Sequence, residues 1–404
     1  MMNLLLSAFS EFPNNDTGGA NKIIYQILRG IDYSKYSVDY LSKNLFKNFT
    51  KPEDLNSQIN SSLSTKKKLG RFMFYNFSFY RNIVLSSWYF SKNLKATNRF
   101  YENLRLDKEY DVLHAHDTRS MYYLKKIKDK KKILTIHSDG SIVNTLQNYL
   151  GDSSISKDIM NKYLLYENES LKIADVITFP SQAARDLFLE EKAEIGIDLN
   201  KIKVVYNGID TQFIDNINVD ENFKKKYFLP EDFDVIIFNA ASHISIKNID
   251  IVIDTVYHLK KKYNIRALLL NAGSGPNTTK LLTKIRSLNL NSQVRFLGRV
   301  PSIEIIKLLK SADILISAAE RVVFDMIILE ALMAGSVIIA SNRGGNSEAI
   351  IDGVNGYLVD ELNGERFADA IMCIDRNVSS NARKSALRFD LLKMVLGFEN
   401  LYTN

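Results

Sequence analysis

The stretch ADILISAAERVVFDMIILEALMAGSVIIASNRGGNSEAIIDGVNGYLV, Ala312 to Val359, decides the fold. Its short apolar run Ile314–Ser317 has the character of a buried parallel strand. A loop carrying Glu320 and Arg321 follows. From Asp325 to Ala334, Met326, Leu329, Glu330 and Met333 recur at helical spacing. Gly335, free to take positive φ, ends that helix. A second apolar strand, Val337–Ala340, runs into Gly344-Gly345-Asn346-Ser347-Glu348, a Gly-rich turn that opens another helix. Strand, loop and helix N-terminus, repeated, form a layout for an anionic ligand. The first-turn N–H groups are unpaired, the helix dipole favours negative charge, and parallel sheets bind ligands at the carboxyl ends of their strands.

The same grammar extends in both directions. Leu4–Phe9 reads as the first strand, and Asp16-Thr17-Gly18-Gly19-Ala20 opens a helix over Asn21–Arg29. Gly18 and Gly19 suit close approach of a phosphate to the backbone, or simply a tight turn. Tyr36–Leu41 is a second strand. Further strands end in His114-Ala115-His116-Asp117, in His137-Ser138-Asp139-Gly140, in Pro180-Ser181 and in Asn207-Gly208-Ile209-Asp210, with helical patterns between them. That alternation predicts a doubly wound α/β domain. The segment Asp210–Asn222 marks a crossover. A new sheet starts at Val235–Ala240 and continues through Leu268–Asn271, before Gly273-Ser274-Gly275, and Val294–Leu297, before Gly298-Arg299. Two domains follow, 1–210 and 211–385.

Composition sets further bounds. The chain has 404 residues, 46% of them hydrophobic, and 6 prolines, which indicates a globular protein of two or three domains. Its one cysteine, Cys373, excludes an internal disulfide and fits a reducing compartment. No apolar run reaches the ~18 residues of a membrane span, and MMNLLLSAFSEFPNN reads as a buried strand rather than a signal peptide. A net charge of +7 suits an acidic partner such as phosphate or anionic lipid. Around Lys66-Lys67-Lys68, the residues Phe72, Phe74, Tyr75, Phe77, Phe79, Tyr80, Trp88, Tyr89 and Phe90 interleave with Arg71, Arg81, Lys92 and Lys95. Two readings stand: a basic amphipathic surface that docks on an anionic bilayer, or aromatics that pack the N-terminal core beneath solvated lysines. No nucleic-acid-binding module is recognisable.

The block LEALMAGSVIIAS…GGNSEAI…DGVNGYLV resembles the nucleotide-sugar site of the retaining, GT-B-fold glycosyltransferases of family 4. The segments H-A-H-D at His114–Asp117, T-x-H ending in His137, A-D-x-x-x-x-P-S ending in Ser181, and N-G-x-D at Asn207–Asp210 are similar to landmarks of the same family. The resemblance covers nearly the whole chain, with residues 45–105 the least matched. It implies two Rossmann-like doubly wound domains facing a central cleft, the last helix (386–404) crossing back onto the N-terminal domain. It also implies transfer of a sugar from a nucleoside diphosphate, UDP being expected, with no metal and no cofactor beyond that co-substrate.

Residue by residue, the resemblance places Glu330 on the ribose. Lys247, the Gly18-Gly19 turn and the N–H groups near Met326 and Ile327 hold the diphosphate. Gly273 and Gly275 lie close to the nucleotide and Arg299 beside the base. His137 and Glu320 meet the donor sugar. The sequence departs from the family twice. Ser242 stands where an arginine is usual, so one cation on the leaving group is lost; Arg299, Arg321 and Arg343 are candidate substitutes, and His243 either helps or packs. Seven residues should separate the first glutamate from the second, which puts the first at Val322, whereas nine residues separate Glu320 from Glu330. Either the loop is longer and Glu320 reaches in, or that contact is lost. Asp232-Phe233-Asp234 resembles a metal-binding D-x-D of another glycosyltransferase fold but precedes its strand, so it is assigned to a loop. The expected acceptor is a glycan or polyprenyl-linked intermediate of bacterial surface polysaccharide synthesis. The expected location is the cytoplasm or the inner face of the cell membrane. The rival reading is a GT-B-like binding or partner subunit without activity; a sugar-nucleotide epimerase matches the motif blocks less well.

Overall fold

The computed structural model describes residues 1–9, 19–42, 45–58, 87–150, 156–227, 233–375 and 378–404. Gly18, the Lys66–Lys68 cluster, the aromatic residues 72–80 and Asp232 lie outside the described residues. Two compact units form: residues 1–208 with 391–404, and residues 209–390.

The N-terminal unit is built on seven strands: β1 (Met2–Ser7), β2 (Tyr36–Ser42), β3 (Leu45–Phe49), β4 (Val112–Ala115), β5 (Lys131–Thr135), β6 (Val176–Phe179) and β7 (Ile202–Val204), in the order β3-β2-β1-β4-β5-β6-β7. All pair parallel except β3, which adds antiparallel to the β2 edge. Leu4, Leu5 and Leu6 on β1 have no exposed surface, as a strand covered by helices on both faces requires. The C-terminal helix, Leu391–Thr403, packs into this unit. Gly30 ends the helix Ala20–Gly30 against Val395 and Leu391; a Cβ there would lie 2.9 Å from the Val395 side chain. Tyr402 and Phe398 reach His114 on β4, at 2.9 Å for the Tyr402 hydroxyl and 5.0 Å between the Phe398 and His114 rings.

The C-terminal unit holds six strands: β8 (Val235–Ala240), β9 (Ala267–Ala272), β10 (Val294–Gly298), β11 (Ile314–Ser317), β12 (Val337–Ser341) and β13 (Tyr357–Val359), in the order β10-β9-β8-β11-β12-β13. Every pairing is parallel. The order is the doubly wound one, and β8 pairs with both β9 and β11 at the point where chain direction across the sheet reverses. Two Rossmann-like parallel sheets therefore make up the protein, as the alternation of strand and helix patterns predicts.

Phe398 is 2% exposed, so Phe398→Ala should destabilise the N-terminal unit by about 3–5 kcal/mol. Urea unfolding followed by fluorescence of Trp88, the chain's single tryptophan, measures it. An unchanged midpoint would show that the last helix contributes little to this unit.

Candidate anion site and histidine cluster

In the C-terminal unit the loops after β8, β9 and β10 are tied to one another by backbone bonds. Ala241 N–H donates to Ala272 O at 3.0 Å, His243 N–H to Ser274 O at 3.2 Å, and Gly273 N–H to Gly298 O at 2.8 Å. Gly273 has φ of 156°, and a Cβ there would stand 1.9 Å from Ala241 O. Gly275 is equally confined, 2.6 Å from His243 O. These two glycines are thus required by loop packing, whatever they bind. His243 is fully buried. Asn239 Nδ2 donates to Ile316 O and Asn271 Nδ2 to Asn239 Oδ1, so Asn271 Oδ1 accepts from His243 Nε2–H at 2.5 Å. Its Nδ1 faces the Thr278 hydroxyl at 2.8 Å, and burial lowers its pKa. His243 therefore fastens β8 to β9. Ser242 beside it is exposed.

The loops after β8 and β11 meet at the reversal point. Glu320 N–H donates to Ile246 O at 2.8 Å and Asn248 Nδ2 to Ala318 O at 3.1 Å. Lys247 Nζ stands 3.0 Å from Asp325 Oδ2 and 3.3 Å from Oδ1. Asp325 is the N-cap of the helix Met326–Ala334, yet its side chain caps no helix N–H; it turns to Lys247 instead. The first turn, at Met326 and Ile327, is left without a side-chain cap. Glu330, on the second turn, is buried at 7% exposure.

Glu320 is exposed and Val322 is 4% exposed, packed where Gly345 N–H donates to Val322 O at 3.3 Å. Gly344, at φ of 49°, admits that contact because a Cβ would stand 1.9 Å from Val322 O. Of the candidate substitute cations, Arg343 is spent on Asn342 O at 2.8 Å and Asp360 O at 2.9 Å. Arg299 is exposed after the positive-φ turn at Gly298. Asp234 accepts the Arg266 N–H at 2.7 Å just before β8. Lys247, Glu320, Met326, Ile327 and Glu330 thus belong to one pair of connected loops and one helix. Sequence reading missed Asp325 as the partner of Lys247, since 78 residues separate them.

Gly19 and His137 belong to the N-terminal unit. Gly19 has φ of 65° and precedes the helix Ala20–Gly30, which has no side-chain cap. His137 follows β5, and its Nε2 lies 3.0 Å from Nδ1 of His116. His114 Nε2 contacts Thr135 Oγ1 at 2.7 Å and its Nδ1 the Tyr402 hydroxyl at 2.9 Å. The His114 and His116 rings are 4.2 Å apart, and the His116 and His137 rings are nearly parallel with centroids 5.3 Å apart. Asp117 is occupied by the N–H groups of Phe9 and Ser120. Burial pushes the pKa of His114 down to about 3, that of His137 to about 4, and that of His116 well below the ordinary value; charge on neighbouring histidines adds to the effect for His114 and His116.

The description Glycosyl transferases group 1 matches residues 219–384, and Glycosyltransferase Family 4 matches residues 17–213. An uncharacterised glycosyltransferase of Methanocaldococcus jannaschii is 30% identical over 271 residues, 66% of this chain and 66% of its own. The D-inositol 3-phosphate glycosyltransferase of Corynebacterium glutamicum is 25% identical over 65% of this chain and 63% of its own. The match spans just under two thirds of the length of these relatives. Among solved structures, Anabaena HepE in complex with UDP and glucose superposes with a TM-score of 0.66 at 18% identity, covering 100% of both chains; it shares the fold.

A histidine held below its ordinary pKa is protonated first in the unfolded chain, so its stabilisation is full above about pH 6.5 and declines on acidification. Between about pH 7 and about pH 5, His114 alone should remove about 2 kcal/mol from the N-terminal unit. Urea midpoints read by Trp88 fluorescence check this; a flat profile over that window would mean that the cluster accepts protons freely.

Proposed function

Since the chain belongs to the group 1 glycosyl transferases, family 4 of the GT-B fold, we propose that it moves a sugar from a nucleoside diphosphate to an acceptor, with retention and without a metal. The observation that carries this reading is the uncapped first turn of Met326–Ala334 beside Lys247, at the carboxyl ends of β8 and β11. The diphosphate is held there by the N–H groups of Met326 and Ile327 and by Lys247, where the helix dipole adds positive potential. Glu330 takes the ribose hydroxyls. Gly273 and Gly275 let the nucleotide lie against the backbone, with Arg299 beside the base and Ser242 near the phosphates. Glu320 meets the donor sugar, and His137 keeps the donor-sugar role that the family resemblance gives it.

The departing phosphate itself assists attack by the acceptor hydroxyl, taking up its proton on the face from which it leaves. Catalysis then rests on orientation and on stabilising the leaving charge. Lys247 must exchange Asp325 for the diphosphate, and Asp325 opposes the incoming negative charge. UDP is favoured as the nucleotide because the fold neighbour HepE binds it. A polyprenyl-linked glycan of surface polysaccharide synthesis is favoured as acceptor by the basic aromatic sequence 66–95; Lys92 and Lys95 are exposed on the helix Ser87–Glu102. Among the described residues no helix is long and apolar enough to cross a membrane.

A second reading, a binding subunit without turnover, is favoured by the absence of a cation at Ser242 and by the engagement of Lys247 with Asp325. Release of nucleotide from a panel of UDP-, GDP- and TDP-sugars separates the two; no release with any donor would favour the subunit.

Calorimetric titration with UDP tests the site itself. Glu330→Ala should weaken UDP about tenfold or more, through loss of charge-assisted bonds worth roughly 1.5–3 kcal/mol. Asp325→Asn should tighten UDP by up to about fivefold, because a part-exposed ion pair is worth roughly 0–1 kcal/mol. Unchanged affinity in Glu330→Ala would refute the ribose contact; weaker binding in Asp325→Asn would make Asp325 a partner of the ligand.

A further inference from the structure

The histidine cluster contains one orphan that fixes the others. His116 is 2% exposed, its Nδ1 faces His137 Nε2 at 3.0 Å, and its own Nε2 is sealed from solvent with no hydrogen-bond partner among the described residues. A neutral imidazole carries one proton. If His116 held it on Nε2, a buried N–H would point at nothing, an arrangement rarer in folded proteins than an orphaned acceptor. If it is held on Nδ1, only a lone pair is left bare and the N–H has an acceptor at His137. The second tautomer is the one the surroundings allow.

The consequence passes to the next ring. With Nε2 of His137 accepting from His116, the single proton of neutral His137 must sit on Nδ1. We infer that His116 is a positioning residue: it donates Nδ1–H to Nε2 of His137 and so makes His137 present Nδ1–H as a hydrogen-bond donor. The groups packed around the pair support a neutral state. His114 and Phe398 flank the His116 ring, and the carboxylate of Asp117 is engaged by Phe9 and Ser120. Burial opposes a cation at each of the three histidines.

The inference deepens the proposed function and rests on it in one respect, that His137 faces the donor sugar. Under that reading His137 is no general base, because one nitrogen is occupied by His116 and the other already bears its proton. It orients a sugar oxygen through a donated bond. Asp, which only accepts, cannot replace His116; Asn, whose side-chain amide can lie near the position of Nδ1, can.

Two-bond nitrogen–proton NMR of the full chain, labelled at histidine with nitrogen-15 and measured near neutral pH, reads the tautomers directly. The expected spectrum has pyrrole-type Nδ1 and pyridine-type Nε2 for both His116 and His137. A His137 proton on Nε2, or a cation, would overturn the inference. His116→Asn should keep the His137 tautomer and most of the donor turnover. His116→Asp should move the His137 proton to Nε2 and lower the donor kcat/KM roughly tenfold, through loss of the bond donated to the sugar. Equal loss in both variants with the tautomer unmoved would reduce His116 to a packing role. If the wild-type chain turns over no donor at all while the expected tautomers are present, the transferase reading fails and the assignment of His116 stands.

Discussion

Parallel pairing of β8 with β9 on one side and β11 on the other is the constraint on which the C-terminal unit depends. Parallel neighbours need right-handed crossovers, so the connections leaving β8 and β11 depart toward opposite faces of the sheet. Open parallel sheets bind ligands beside the carboxyl ends of the strands at such a reversal. Lys247, Glu320, Met326, Ile327 and Glu330 all lie on the loops after β8 and β11 or on the helix that β11 feeds. Backbone bonds from Glu320 to Ile246 and from Asn248 to Ala318 hold the two loops in register. The buried chain His243–Asn271–Asn239–Ile316 does the same one strand further along.

The charge balance of that place is unusual for an anion site. Lys247 is matched by Asp325, Arg343 is bound to carbonyl oxygens, and Ser242 supplies no charge. The backbone dipoles at the start of Met326–Ala334, which has no side-chain cap bond, add positive potential there. The N-terminal unit handles polarity in another way. Burial opposes a cation on each of its three histidines, and their contacts are hydroxyls and one another, with His116 Nε2 left without a partner among the described residues.

Much of this was legible in the sequence. Val235–Ala240 and Ile314–Ser317 are largely apolar runs, polar only at Asn239 and Ser317, and both emerge as strands with those limits. Gly335 ends its helix in the left-handed conformation expected of it. The edges were less visible. β3 reads Leu-Phe-Lys-Asn-Phe, with Phe46 49% exposed, and an edge strand with one wet face lacks the apolar signal of a central one. β13 spans only Tyr357–Val359. Glu330 was singled out from its helix in the sequence, and its burial at 7% exposure is what the structure adds. The site was illegible where charge or proton position is set across the fold: Asp325 meets Lys247 from 78 residues away, and His116 meets His137 from 21. The Ser317-x-x-Glu320 context favours Glu320 in the sequence; the burial of Val322 and the close approach of Gly344 to its carbonyl oxygen are tertiary and leave no local trace.

A crystal structure of the full chain soaked with UDP tests the central claim most directly. The account predicts the diphosphate on the N–H groups of Met326 and Ile327, Lys247 swung from Asp325 onto a phosphate oxygen, and the Glu330 carboxylate on the ribose. Lys247 still paired with Asp325 and no nucleotide at the ends of β8 and β11, in crystals where UDP is bound elsewhere or not at all, would contradict it.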